Sequence, residues 1–135
     1  MSERHRPLDG LLILVILAHF AVTVLHGRAH MGAVVPVSAA ANLFILSVIV
    51  VAPLVGAIVL WFFSVEGGAW LLALSLAASL VFGIVNHFIL ESPDYVARIA
   101  SEWRGMFTVT AVLLALTEAL GSGLAFWRVA QARAR

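Results

Sequence analysis

The sequence predicts an all-α polytopic membrane protein: a four-helix transmembrane bundle with a short outer interfacial helix. Three observations carry this. Of the 135 residues, 63% are hydrophobic and 11% charged, against about 45–50% and about 25% in a soluble domain. Four apolar runs each approach or exceed the roughly 20 residues a helix needs to cross a bilayer core. The runs are too long, and alternate too little, for barrel strands. Backbone groups in lipid must be satisfied within their own segment, so each run is expected as a helix.

The four spans are expected at 8–26, 39–63, 69–90 and 106–127, within a single domain covering 1–135. The first is interrupted by Asp9, His19 and Thr23. Arg4 and Arg6 before it resemble the basic start of a signal peptide. No small-x-small cleavage pattern follows Leu25, so the run reads as a retained span. The second carries Pro53, which predicts a kink, with Ala52 and Gly56 beside it. The third offers the small residues Ala69, Ala73, Ser75, Ala77, Ser79 and Gly83. The fourth has Ala111, Ala115, Ala119 and Gly123 at i+4 spacing. Small residues let membrane helices approach closely, so both spans are expected to pack along these stripes. Between spans three and four, Ser92-Pro93-Asp94 reads as the start of a short helix. Val96, Ile99 and Trp103 would form its apolar face; a simple loop covering the bundle is the equal alternative.

Orientation follows the arginines. With four spans the termini share a side. That side carries Arg4, Arg6, Arg128, Arg133 and Arg135, against Arg28, Arg98 and Arg104 opposite. Both termini are therefore expected in the cytoplasm, with the bundle in an inner (plasma) membrane of bacterial type. Trp61, Trp70 and Trp127 would mark the inner interface and Trp103 the outer one. The bilayer is then one partner. The small-residue stripes are equally compatible with a homo-oligomer or a larger membrane complex.

Composition removes several chemistries. The net charge of +1 argues against nucleic acid or another polyanion as partner. All eight basic residues are arginine, so no lysine is present for a Schiff base or a phosphate loop. There is no cysteine, which excludes disulfides, thiolate metal ligands, iron–sulfur clusters and thiol nucleophiles. Metal ligands must come from His, Asp, Glu or backbone oxygen.

Ionisable groups in a span are costly, so each is a functional candidate. His26 and His30 are four residues apart, as are His87 and Glu91. That spacing on a helix brings two ligands to one ion. Both pairs, with Asp94, fall at the outer end in this topology. Three imidazoles and carboxylates suit zinc, copper or iron. The leading expectation is a transition-metal site of His26, His30, His87, Glu91 and Asp94 near the non-cytoplasmic face. Asn86 and Asn42 are expected to support it. Such a site would serve metal transport, redox or metal-dependent chemistry. The same histidines also read as amphipathic interface residues. They read, too, as axial ligands of a b-type haem held between His26 and His87, with room at Gly83.

His19 and Glu118 lie at similar depth near the midplane. A His19–Glu118 contact would make either a buried pair that fixes helix register or the proton relay of a small proton-coupled transporter or channel; the alternative is a protonated Glu118 bonded to a Thr or Ser hydroxyl such as Thr117, Thr110, Thr23 or Ser122. In length and span count the chain is similar to small multidrug-resistance transporters. Those carry an essential carboxylate in the first span. Here that span holds His19, and the only central carboxylate is Glu118 in the fourth. The transport function is therefore not carried over. A structural subunit of a larger membrane complex is the remaining alternative.

Overall fold

The structure, a computed structural model, describes residues 7–134. Arg4, Arg6 and Arg135, used above for orientation, lie outside the described residues. Within them all regular structure is helical. Four helices are long and apolar enough to cross a membrane: α1 (Pro7–Gly32), α2 (Ala39–Phe62), α3 (Val65–Ile89) and α4 (Ser101–Arg133). Helix α1 packs on α4, α4 on α3, and α3 on α2. Helix α2 returns to α1 mainly through its inner half, Ala52–Phe62. Its outer half stands away from α1.

Two helices outrun their expected bounds. Helix α1 continues through Gly27 to Gly32, which keeps its backbone groups paired within the helix. Trp103 lies where a Cβ on Gly32 would have to go, so this end of α1 needs a glycine. Helix α4 spans 33 residues, about 50 Å at 1.5 Å per residue, and so extends well beyond the apolar run.

Helix α2 is not uniform. Residues Ile45–Val51 form a π-helix, closed by the Ala52 N–H bonding Ser47 O. Pro53 explains the position. Proline has no N–H, and its ring crowds the carbonyl four residues earlier, here that of Ile49. The wider π turn relieves that contact, and the Ile49 carbonyl is taken by another helix, as described below. Ser64 then caps α3 by accepting a hydrogen bond from Gly67 N–H at 3.0 Å. The hairpin between α2 and α3 is tight. A Cβ on Gly68 would overlap the Leu60 backbone.

The inner half of the bundle is an apolar core of Leu12, Ile16, Leu60, Leu72, Leu76 and Ala125 with their neighbours. On α3 the small stripe faces inward, with Ala69, Ala73, Ser75 and Ser79 buried. On α4 the expected stripe does not hold. Ala111 is buried, but Ala119 and Gly123 face outward. The buried line runs instead through Ala111, Leu114, Glu118, Gly121 and Ala125. A strict i+4 row drifts around a helix of 3.6 residues per turn, so it leaves the interface after about two turns. Close approach falls on Gly121, where a Cβ would come 2.7 Å from Leu76 Cδ1.

One ion pair closes the inner end. Arg128 Nε donates to Asp9 Oδ1 at 2.6 Å, and Nη2 to Oδ2 at 3.4 Å. Both side chains are almost fully buried. The pair joins the first turn of α1 to the last third of α4 at one end of the bundle. Nearby, Arg133 bonds Glu66 at 2.9 Å and stacks over Trp70. That pair is exposed and contributes little.

The outer connection departs from expectation. No helix starts at Ser92. Leu90 is already extended, and only a 3₁₀ turn, Val96–Arg98, forms before α4. The Ser92 hydroxyl bonds Asn86 O at 3.0 Å and Asp94 Oδ1 at 3.3 Å, so it caps nothing. Val96, Ile99 and Trp103 do group together, but they cover Ala29 and Phe107 as a lid on the bundle's outer end.

The Asp9–Arg128 pair supports a first prediction. Asp9→Asn leaves a buried arginine without its carboxylate and should cost about 3–5 kcal/mol. Replacing both partners, as Asp9→Leu with Arg128→Met, should recover most of that loss. Thermal unfolding in mild detergent measures both effects.

Candidate metal centre

Helix continuity through Gly27 places His26 and His30 on one face of α1, their rings 4.8 Å apart. His87 arrives from α3. There the helix widens into a second π turn, Val85–Ile89, closed by Leu90 N–H on Val85 O, and then stops. The wide turn swings His87 towards α1. Its Nε2 comes 3.2 Å from His26 Nε2. One ligand nitrogen from each of His26, His30 and His87 lies within 4.8 Å of the others. Phe107 of α4 forms the base of the group, its ring centroid 4.7–5.2 Å from all three imidazoles.

The partners behind the rings decide which nitrogen carries hydrogen. His87 Nδ1 faces the backbone carbonyl of Asp94 at 3.2 Å. A carbonyl only accepts, so His87 Nδ1 carries the proton and Nε2 keeps a bare lone pair. His26 Nδ1 lies 2.9 Å from Thr110 Oγ1. The Thr110 hydroxyl also lies 2.7 Å from Met106 O. The Nε2 atoms of His26 and His87 face each other at 3.2 Å, with the His87 lone pair directed at His26. Beside them His30 Nδ1 is buried with no hydrogen-bond partner.

A cation could be held between the rings. Zinc–imidazole bonds of about 2.0–2.1 Å put tetrahedral ligand nitrogens about 3.3 Å apart. The His26–His87 separation already matches, and a small rotation of His30 closes the set. The hydrogen bonds to Thr110 and to the Asp94 carbonyl are the outer contacts that usually hold metal-binding imidazoles in place. The cluster could therefore hold a metal ion. A haem between His26 and His87 does not fit. Axial nitrogens on opposite sides of a haem iron would stand about 4 Å apart, twice a bond of about 2 Å. Here the rings meet edge-on at 4.9 Å between centroids, with no slot for a macrocycle.

The other expected site residues are placed differently. Glu91 does not share a face with His87, because the helix ends at Ile89. Its carboxylate is exposed and paired with Arg98 at 2.9 Å. Asp94 meets the cluster through its main-chain carbonyl, while its carboxylate takes the Ser92 hydroxyl. Asn86 donates to Phe82 O at 2.8 Å within its own helix and orients no histidine. Asn42 lines the same cavity as the cluster but bonds Val37 O at 3.4 Å. Two residues that sequence reasoning did not assign to the site matter here: Thr110 and Phe107. Thr110 was legible only as a hydroxyl in a span, since its partner lies 84 residues away.

His19 and Glu118 do not bond each other. His19 Nε2 bonds Ile49 O at 3.2 Å, the carbonyl that Pro53 cannot satisfy, and Thr117 Oγ1 lies 3.5 Å from Nδ1. The imidazole thus repairs the π turn of α2. Glu118 is 3% exposed and has no hydrogen bond or ion pair among the described residues. It lines a cavity that reaches up to the three histidines.

Comparison with known families, curated proteins and solved structures gave no match to this chain.

Thr110→Val keeps the shape of the side chain and removes the hydroxyl that bonds His26 Nδ1. It should weaken metal binding by about 10- to 100-fold with little change in thermal stability. Competition with a chelating dye reads the affinity.

Proposed function

We propose that this chain is an integral membrane protein that holds a transition metal at His26, His30 and His87, close to the non-cytoplasmic face. The observation that supports this reading is the convergence of one ligand nitrogen from each of His26, His30 and His87 within 4.8 Å, with His30 Nδ1 buried and unbonded.

The donor set narrows the ion. Three nitrogens and no thiolate suit zinc, copper(II) or iron(II) better than magnesium or calcium, which take oxygen. Three protein ligands also leave a coordination position free, the pattern of sites that exchange or act on a bound group and not of closed structural sites. That position would face the cavity lined by Glu118. The depth of the cluster follows from the chain direction. With both termini cytoplasmic, the ends of α1 and α3 that carry the histidines lie on the far side.

Purification in mild detergent, followed by elemental analysis, tests the proposal. About one equivalent of zinc, copper or iron per chain is expected. His26→Ala, His30→Ala and His87→Ala should each lose it, whereas Glu91→Gln should keep it. Protein that stays metal-free after reconstitution with each of the three ions would overturn the reading.

A further inference from the structure

Beneath the histidines the bundle does not close. A cavity of about 770 Å³ runs inward between α1, α4, α3 and the π segment of α2. That volume is in the range of small-molecule sites, about 300–1,000 Å³. Its walls are mostly apolar, with Ile49, Phe82 and Leu114 prominent. The carboxylate of Glu118 lies in this apolar lining. From Thr110, beside the cluster, to Glu118 is about 12 Å along α4.

Three features describe what belongs there. First, Glu118 is buried without a partner, and a buried carboxyl group without one is strongly unfavourable. Second, below the three histidines the lining carries one ionisable side chain, Glu118, and no arginine, so that part of the cavity suits a cationic guest and not an acid. Third, the outer half of α2 stands off α1. The rim there carries the exposed residues Val24, Met31 and Val34, so access is sideways, from the lipid. Gly83 keeps the inner part open. A Cβ at that position would lie 3.9 Å from Glu118 Oε2 and 4.0 Å from His87 Cδ2, so the two side chains border the same gap.

We propose that this cavity is a binding chamber for a lipophilic amine, which enters from the bilayer and places its ammonium group on Glu118. The apolar walls take the hydrocarbon part, and the carboxylate supplies a charge-assisted hydrogen bond in a medium where such bonds are strong. The chamber does not depend on a metal at the histidines, although an amine seated on Glu118 would extend towards them.

The test uses the full chain in nanodiscs, stripped of metal with a chelator and titrated with octylamine, octanol or octanoate against empty nanodiscs. Saturable octylamine binding is expected at one site per chain, with octanol and octanoate much weaker. Glu118→Gln should weaken amine binding about tenfold or more. Gly83→Val, which fills the gap bordered by Glu118 and His87 but keeps both side chains chemically unchanged, should weaken it comparably. Circular dichroism and thermal unfolding check that both variants are folded. Absence of saturable amine binding would overturn the proposal. So would octanol binding equal to octylamine, or amine binding unchanged in both variants. Zinc reconstitution of the same preparations reports on the histidine site separately, so failure of one reading leaves the other to be judged alone.

Discussion

The interior of this apolar bundle offers little water to a polar group, so each buried polar group must be answered by the chain itself. Most of this structure follows from that constraint. Asp9 and Arg128 answer each other at the inner end. The hydroxyls of Ser75, Ser79 and Thr117 fold back onto carbonyls of their own helices. Pro53 removes an N–H from α2, and His19 on α1 supplies the missing donor to Ile49 O. What first reads as a midplane histidine poised for proton transfer is thus a repair to a neighbouring helix.

Against that background the unanswered groups stand out. They are the buried Nδ1 of His30 and the carboxyl group of Glu118. Both residues line one cavity, where the proposed ion and guest would meet them.

The two π turns connect these observations. One lies in α2 beside Pro53 and forms part of the cavity wall; the other carries His87 at the end of α3. π turns insert an extra residue into a helix and re-aim the side chains that follow. In α3 the result is a histidine turned towards α1. In α2 it is a carbonyl offered to His19. Both distortions sit in the outer half of the bundle, above the regularly packed core of Leu12, Leu72 and Leu76.

The sequence alone determined the class of fold, because the apolar runs and the near absence of charge admit little besides spanning helices. It also determined which residues were worth testing, since so few ionisable groups lie within the spans. The His26–His30 pair could be read from spacing, as both residues belong to one helix and the helix period is known. Only the tertiary structure decided the partners. Glu91 left the site because α3 stops at Ile89, and Thr110 joined it from another helix. The α4 interface moved from Ala119 and Gly123 to Gly121, because the interface follows the 3.6-residue period and not a strict i+4 row. Asp9 and Arg128, 119 residues apart, became a pair only when α1 met α4. Spacing along one helix is local geometry and can be read directly. Contacts between helices depend on the rotation and termination of each, which are set by how all four pack together.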